Sequence, residues 1–176
     1  VAIALPAADW TIDRAAAVEA AAIGAALGLY RFDQYRGAAS PTAANSRRIE
    51  SLTVVSPDLP ADAAHSALRR AEAISRGIAI ARDLGNEPGS TLTPHVLAEQ
   101  AQAIAGASGL EIEILGPDKL AAIGAAATLA VGGGSTNGPR LIRLRYTPDG
   151  EPTSDRVTGL VGKAITFDTG GYSLKP

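Results

Sequence analysis

From about Thr11 to Leu29 apolar residues recur at Ile12, Ala16, Ile23 and Leu27, with Asp13, Arg14 and Glu19 between them and no proline. Residues three and four apart share one helical face, so this spacing predicts a helix, with Asp9 or Thr11 near its cap. The run Tyr30-Arg31-Phe32-Asp33-Gln34-Tyr35 follows, and residues 37–46 are small and polar around Pro41, which reads as a loop. Ile49 to Val55 is a short β-rich run. Pro57 and Pro60 mark the next boundary, after which Ala61 to Leu84 is free of proline, with Ala64, Leu68, Ala71, Ile74, Ile78 and Ile80 set among Arg69, Arg70, Glu72 and Arg76. A long helix is expected there.

That helix should end near Gly85, ahead of the turn-rich connector Asn86-Glu87-Pro88-Gly89-Ser90. Thr93-Pro94 predicts a new helix start, because a threonine hydroxyl caps orphan amides and proline suits the first turn; Gly109 is its expected stop. Glu111 to Leu115 alternates like a strand, and Pro117 to Ala127 looks helical before Leu129-Ala130-Val131 runs into three glycines. Leu141 to Tyr146 alternates again, with Ile142, Leu144 and Tyr146 on one face and Arg143 and Arg145 on a wet one. Val157 to Phe167 is apolar on both faces, the pattern of a central strand buried under helices in a parallel or mixed sheet. Strands alternating with helices give an α/β fold, without internal repeats.

Composition narrows the function. The chain has 176 residues, enough for one ordinary domain or parts of two. Apolar residues at 46% and charged ones at 19% support a core, and a net charge of -2 lacks the basic surplus of a nucleic-acid binder. There is no cysteine and there are two histidines, His65 and His95, so a disulfide framework, a thiolate or histidine-rich metal site and a cysteine nucleophile are excluded. No stretch reaches the ~20 apolar residues of a membrane span, and the first residues given are not a basic-then-apolar run of the signal-peptide kind, which says little where the native start is missing. Methionine is absent even at position 1, so an internal segment of a longer chain is expected. The abundant alanine suggests closely packed helices.

Most candidate sites have a plainer explanation. Gly132-Gly133-Gly134-Ser135 lacks the lysine of a phosphate loop, and Asn137 stands where a dinucleotide fingerprint needs its last glycine, so a structural turn is expected. The two histidines are separate and read as satisfied or solvent-facing helix residues rather than ligands. Arg143 and Arg145 could grip an anion, although a solvated or subunit-contact face fits them better. Tyr30, Phe32 and Tyr35 read as packing rather than as a platform for bases.

The run from Val161 to Pro176 is different. Lys163 lies in an apolar stretch that reads as buried, where an unpartnered ammonium is costly. Asp168 follows five positions on, at the carboxyl edge of the expected strand, where open α/β sheets place ligands, and Gly170-Gly171 permits close backbone approach. A neutral Lys163 amine and the Asp168 carboxylate could hold a divalent cation. From these residues alone a buried ion pair closed by a glycine turn is the plainer reading, with Lys175 on the surface.

The segment Gly162-Lys163-Ala164-Ile165-Thr166-Phe167-Asp168-Thr169-Gly170-Gly171, with Ser173-Leu174-Lys175-Pro176, closely resembles the signature of the leucyl (cytosol) aminopeptidase family of two-metal exopeptidases. Upstream, Ala81-Arg82-Asp83-Leu84-Gly85-Asn86-Glu87-Pro88, Leu92-Thr93-Pro94, Ala130-Val131-Gly132 and Pro139-Arg140-Leu141-Ile142 with Tyr146 resemble it in the same order. Gly28-Leu29-Tyr30-Arg31-Phe32-Asp33 resembles the end of the family's amino-terminal domain. The resemblance implies that Lys163 binds one metal, that Asp168 bridges two, and that Lys175 polarises the scissile carbonyl. It also implies two divalent ions, zinc or manganese, and a bicarbonate held by an arginine as general base. Peptide substrates cleaved at the amino-terminal residue, a homohexamer and a cytoplasmic setting, with neither membrane nor nucleic acid as partner, complete the expectation.

Two departures stand beside the signature: Ala164 where the family has glycine, and Tyr172 where it has isoleucine or leucine. The family also needs an aspartate beyond the position of Lys175 and an Asp-x-Glu-x-Arg cluster, and the latter pattern does not occur in the chain. The expected organisation is therefore the last part of an amino-terminal α/β domain over residues 1–60, a linking helix over 61–85, and the start of a catalytic domain over 86–176. On this reading the 176 residues alone are inactive, carrying part of a site. The alternative is a non-catalytic homologue kept for assembly or binding, with Ala164 and Tyr172 marking a decayed site.

Overall fold

The computed structural model describes residues 1–5, 12–37, 49–57, 59–150, 154 and 156–167. Among the described residues helices and two small sheets make a mixed α/β architecture, divided into two compact units, Val1–Asn86 and Glu87–Pro176.

In the first unit β1 (Ala2–Ala4) and β2 (Thr53–Val55) run parallel, with Ile3 opposite Val54. A parallel pair needs a crossover, here α1 (Arg14–Leu29). The cap of α1 is Asp13, whose carboxylate accepts from the Ala16 amide at 3.0 Å. That corrects the expected cap; Asp9 and Thr11 lie outside the described residues. The long helix α2 runs from Ala61 to Asn86 and packs along α1. Ala17, Ala67 and Ala71 are buried, the small side chains that let two helices approach closely. Leu5, Ala17, Val18 and Ala67 form the core, with Val54 and Leu59 packed against it.

In the second unit α3 (Pro94–Ser108) starts and stops where its residues predict. The Thr93 hydroxyl accepts from the Val96 amide at 3.3 Å, and Gly109 ends the helix at φ 66°. Buried Ala98, Ala101 and Ala105 line α3, which packs on the antiparallel pair β3 (Glu111–Leu115) and β4 (Leu141–Arg145). Ile112, Ile114 and Ile142 share the half-buried face, and Glu113 pairs with Arg143 on the other.

Two expectations need correction. The helix read over Pro117 to Ala127 is two short ones, α4 (Pro117–Ala122) and α5 (Ala126–Gly132). Gly124 separates them at φ 74°, a left-handed conformation that closes α4 with Ala125 donating to the Leu120 carbonyl. Val157 to Phe167 forms no strand, and it is open to solvent: Val157 and Leu160 are each 95% exposed. A strand apolar on both faces is buried only when paired and covered on each side, and no described strand pairs with this segment.

Candidate functional site

The second unit holds a cavity of about 740 Å³ whose wall includes Thr93, Gly132, Ser135, Arg140 and the run from Val161 to Phe167. Several elements meet there. Thr93 is the cap of α3; Gly132 ends α5; Arg140 immediately precedes β4. The glycines are needed for packing. A Cβ on Gly132 would come within 2.7 Å of the Pro139 ring, and one on Gly138 within 2.9 Å of Pro117 Cγ. The turn between them is pinned by Ser135 N–H donating to the Gly132 carbonyl at 3.2 Å and Asn137 N–H donating to Ser135 Oγ at 3.0 Å. Gly132 to Ser135 is thus a structural turn at a cavity wall.

Lys163 lies on that wall and is exposed, so its placement among buried apolar residues is corrected: the surrounding segment is open rather than enclosed. Asp168, Gly170, Gly171, Tyr172 and Lys175 lie outside the described residues. Arg140, which also lines the cavity, was not singled out as a site residue by spacing. Its guanidinium Nη1 donates to the carbonyls of Gly138 and Pro139, both at 3.0 Å, and so serves its own turn. The only signal for it was its place in the Pro139-Arg140-Leu141-Ile142 run.

Among the described residues no three His, Cys, Asp or Glu side chains come together as a metal-binding group. Of the two expected metal donors, Lys163 offers one nitrogen on the cavity wall and Asp168 lies outside the described residues. His65 and His95 are both exposed on helices, with His95 Nε2 3.3 Å from Glu99 Oε1. Arg143 is committed to Glu113 at 2.7 Å and forms part of a solvated face. The Phe32 and Tyr35 rings meet at a tilt of 51° with centroids 5.9 Å apart, and Tyr30 lies under the Arg82 guanidinium. No helix among the described residues is long and apolar enough to cross a membrane.

The cavity wall falls within residues 79–176, which match the catalytic-domain profile of the cytosol aminopeptidase family. The chain belongs to the cytosol aminopeptidase family. A probable cytosol aminopeptidase from a Geobacter species is 41% identical over 162 residues, which is 91% of this chain and 32% of that one. Another from Roseiflexus castenholzii is 42% identical over 154 residues, 87% of this chain and 30% of that one. The chain thus spans about a third of the length of these cytosol aminopeptidase relatives. Among solved structures, a variant of tomato leucine aminopeptidase aligns with a TM-score of 0.77 at 29% identity, covering 96% of this chain and 33% of that one. The bottromycin maturation enzyme BotP in complex with Mn aligns at 0.69 and 30% identity, covering 84% and 30%.

Proposed function

We propose that this chain carries part of the active site of a metal-dependent aminopeptidase that releases amino-terminal residues such as leucine from peptides. The observation that carries this reading is the family match over residues 79–176, which takes in the whole Gly162 to Pro176 run. In it, Lys163 and Asp168 are the metal-binding donors and Lys175 is the cation that polarises the scissile carbonyl. A pair of divalent ions, zinc or manganese, supplies Lewis acidity and an activated water in such hydrolases, with bicarbonate as an accessory base. The Mn bound to the BotP neighbour supports a divalent metal. This chain's own contribution is to present Lys163 on an open cavity wall, as an unprotonated amine when it serves as a metal donor, with Lys175 assigned as the cation for the substrate carbonyl oxygen.

Residues 1–60 are then the last part of an amino-terminal domain, 61–85 a linking helix and 86–176 the start of the catalytic domain. The proposal extends to a cytoplasmic setting, in line with the names of the cytosol aminopeptidase relatives. It further takes the whole protein to be a homohexamer without membrane or nucleic-acid partners.

Hydrolysis of leucine p-nitroanilide tests the reading, measured on the longest form of the protein with and without Mn, alongside its intact mass. Turnover that Lys163→Ala abolishes supports it. A full-length, metal-loaded sample without turnover favours the non-catalytic homologue. The 17.8 kDa chain alone is expected to be inactive, and metal-dependent turnover by it would overturn the partial-site reading.

A further inference from the structure

The last turn of α2 is helical against the preferences of its own residues. Asp83, Gly85 and Asn86 fall within the final four residues of that helix. An aspartate there meets the negative end of the helix dipole, glycine gives up the most backbone freedom, and asparagine is a poor helix former. No basic residue stands in that turn to offset the dipole. The helix nevertheless continues to Asn86.

One side chain from another element holds it. Tyr30, immediately after α1, donates its hydroxyl to Asp83 Oδ1 at 2.7 Å and accepts from Asn86 Nδ2 at 3.1 Å. The Arg82 guanidinium carbon sits 3.9 Å from the centre of the Tyr30 ring, and Arg82 Nη1 donates to the Leu27 carbonyl at 3.4 Å. Three of the last five residues of α2 are therefore tied to the end of α1, through partners more than fifty positions away in sequence.

We propose that Tyr30 is a latch, and that residues 83–86 are helical only while it is closed. Release is a local, reversible opening that leaves the rest of the first unit folded, because none of these four residues belongs to the buried core. Four residues span about 6 Å as helix and about 13 Å extended. An open latch therefore adds several ångströms of free chain just before Glu87, where the second unit begins. This conformational device goes beyond the proposed activity and does not depend on it.

Amide hydrogen exchange on the 176-residue chain tests the latch. Tyr30→Phe keeps the ring beneath Arg82 and removes both hydrogen bonds of the hydroxyl. Exchange across residues 83–86 should then quicken about fivefold to tenfold, while Val18 and Ala71 keep their protection. Asn86→Ala replaces a poor helix former with the best one, so propensity alone slows exchange in this turn whereas the latch requires it to quicken. Unchanged or greater protection of the turn in Asn86→Ala overturns the proposal, and so does a Tyr30→Phe effect spread evenly through both helices. If Tyr30→Phe does not fold, the sign of the Asn86→Ala effect still decides.

Discussion

Arg143 Nη2 lies 2.7 Å from Glu113 Oε2, and the two residues face each other directly across the β3–β4 ladder. Both side chains are largely in water, at 73% and 44% exposure. The coupling should therefore be small, about 0.2–1 kcal/mol, and should shrink in high salt. A double-mutant cycle with alanine at both positions, followed by urea unfolding at low and high ionic strength, checks this. A larger, salt-insensitive coupling would show that the face is covered.

Thr93 caps α3 through its hydroxyl, so Thr93→Ala should cost about 1 kcal/mol while Thr93→Ser keeps most of the stability. Urea midpoints of the two variants measure the difference. Equal midpoints would show that the hydrogen bond contributes little.

Gly132→Ala forces a methyl group toward three atoms of the Pro139 ring, all 2.7 Å from the new Cβ, and a proline ring cannot swing aside as a flexible chain would. Helix propensity favours alanine by up to about 1 kcal/mol, and overpacking opposes it with about 1–3 kcal/mol. A net loss is expected. Gly134→Ala meets nothing within 4 Å and should be close to neutral, which makes it the control in the same unfolding series.

Partial burial of the ring, and then the Asp83 carboxylate that accepts from its hydroxyl, push the Tyr30 pKa above its usual 10.0. The folded state therefore holds this proton more tightly than the unfolded chain. The associated stability is present in full below pH 10 and fades as pH rises through the higher folded-state value. Unfolding curves between pH 8 and 12, on the wild type and Tyr30→Phe, should converge at the alkaline end. A constant gap over that range would show that the phenol proton is not linked to folding.

Local signals carried the fold wherever the determinants sit within a few residues. The α3 helix was legible from Thr93, Pro94 and Gly109 because a cap, a first-turn proline and a left-handed stop act within one turn of chain. Strand β1 was not legible, since three residues, Ala2 to Ala4, owe their conformation to Thr53 to Val55 fifty positions away. The break at Gly124 shows the limit in between. The glycine is visible in the sequence, while its left-handed backbone is set by how the Ala125 amide finds the Leu120 carbonyl.

The candidate site divides in the same way. Lys163, Asp168 and Lys175 stand out from the sequence because their types and spacing match a family signature, and the family itself is a property of the chain. The exposure of Lys163 and the cavity around it were not in the sequence, because a strand apolar on both faces reads as buried whether or not anything covers it. The sequence determined where α3 begins and ends and which family the chain belongs to. Only the tertiary structure decided that Arg143 answers Glu113, that Pro139 leaves no room for a side chain at position 132, and that Tyr30 closes the end of α2. Those relationships join residues from seven to fifty-three positions apart, and their energies exist only once packing has brought the partners within a few ångströms.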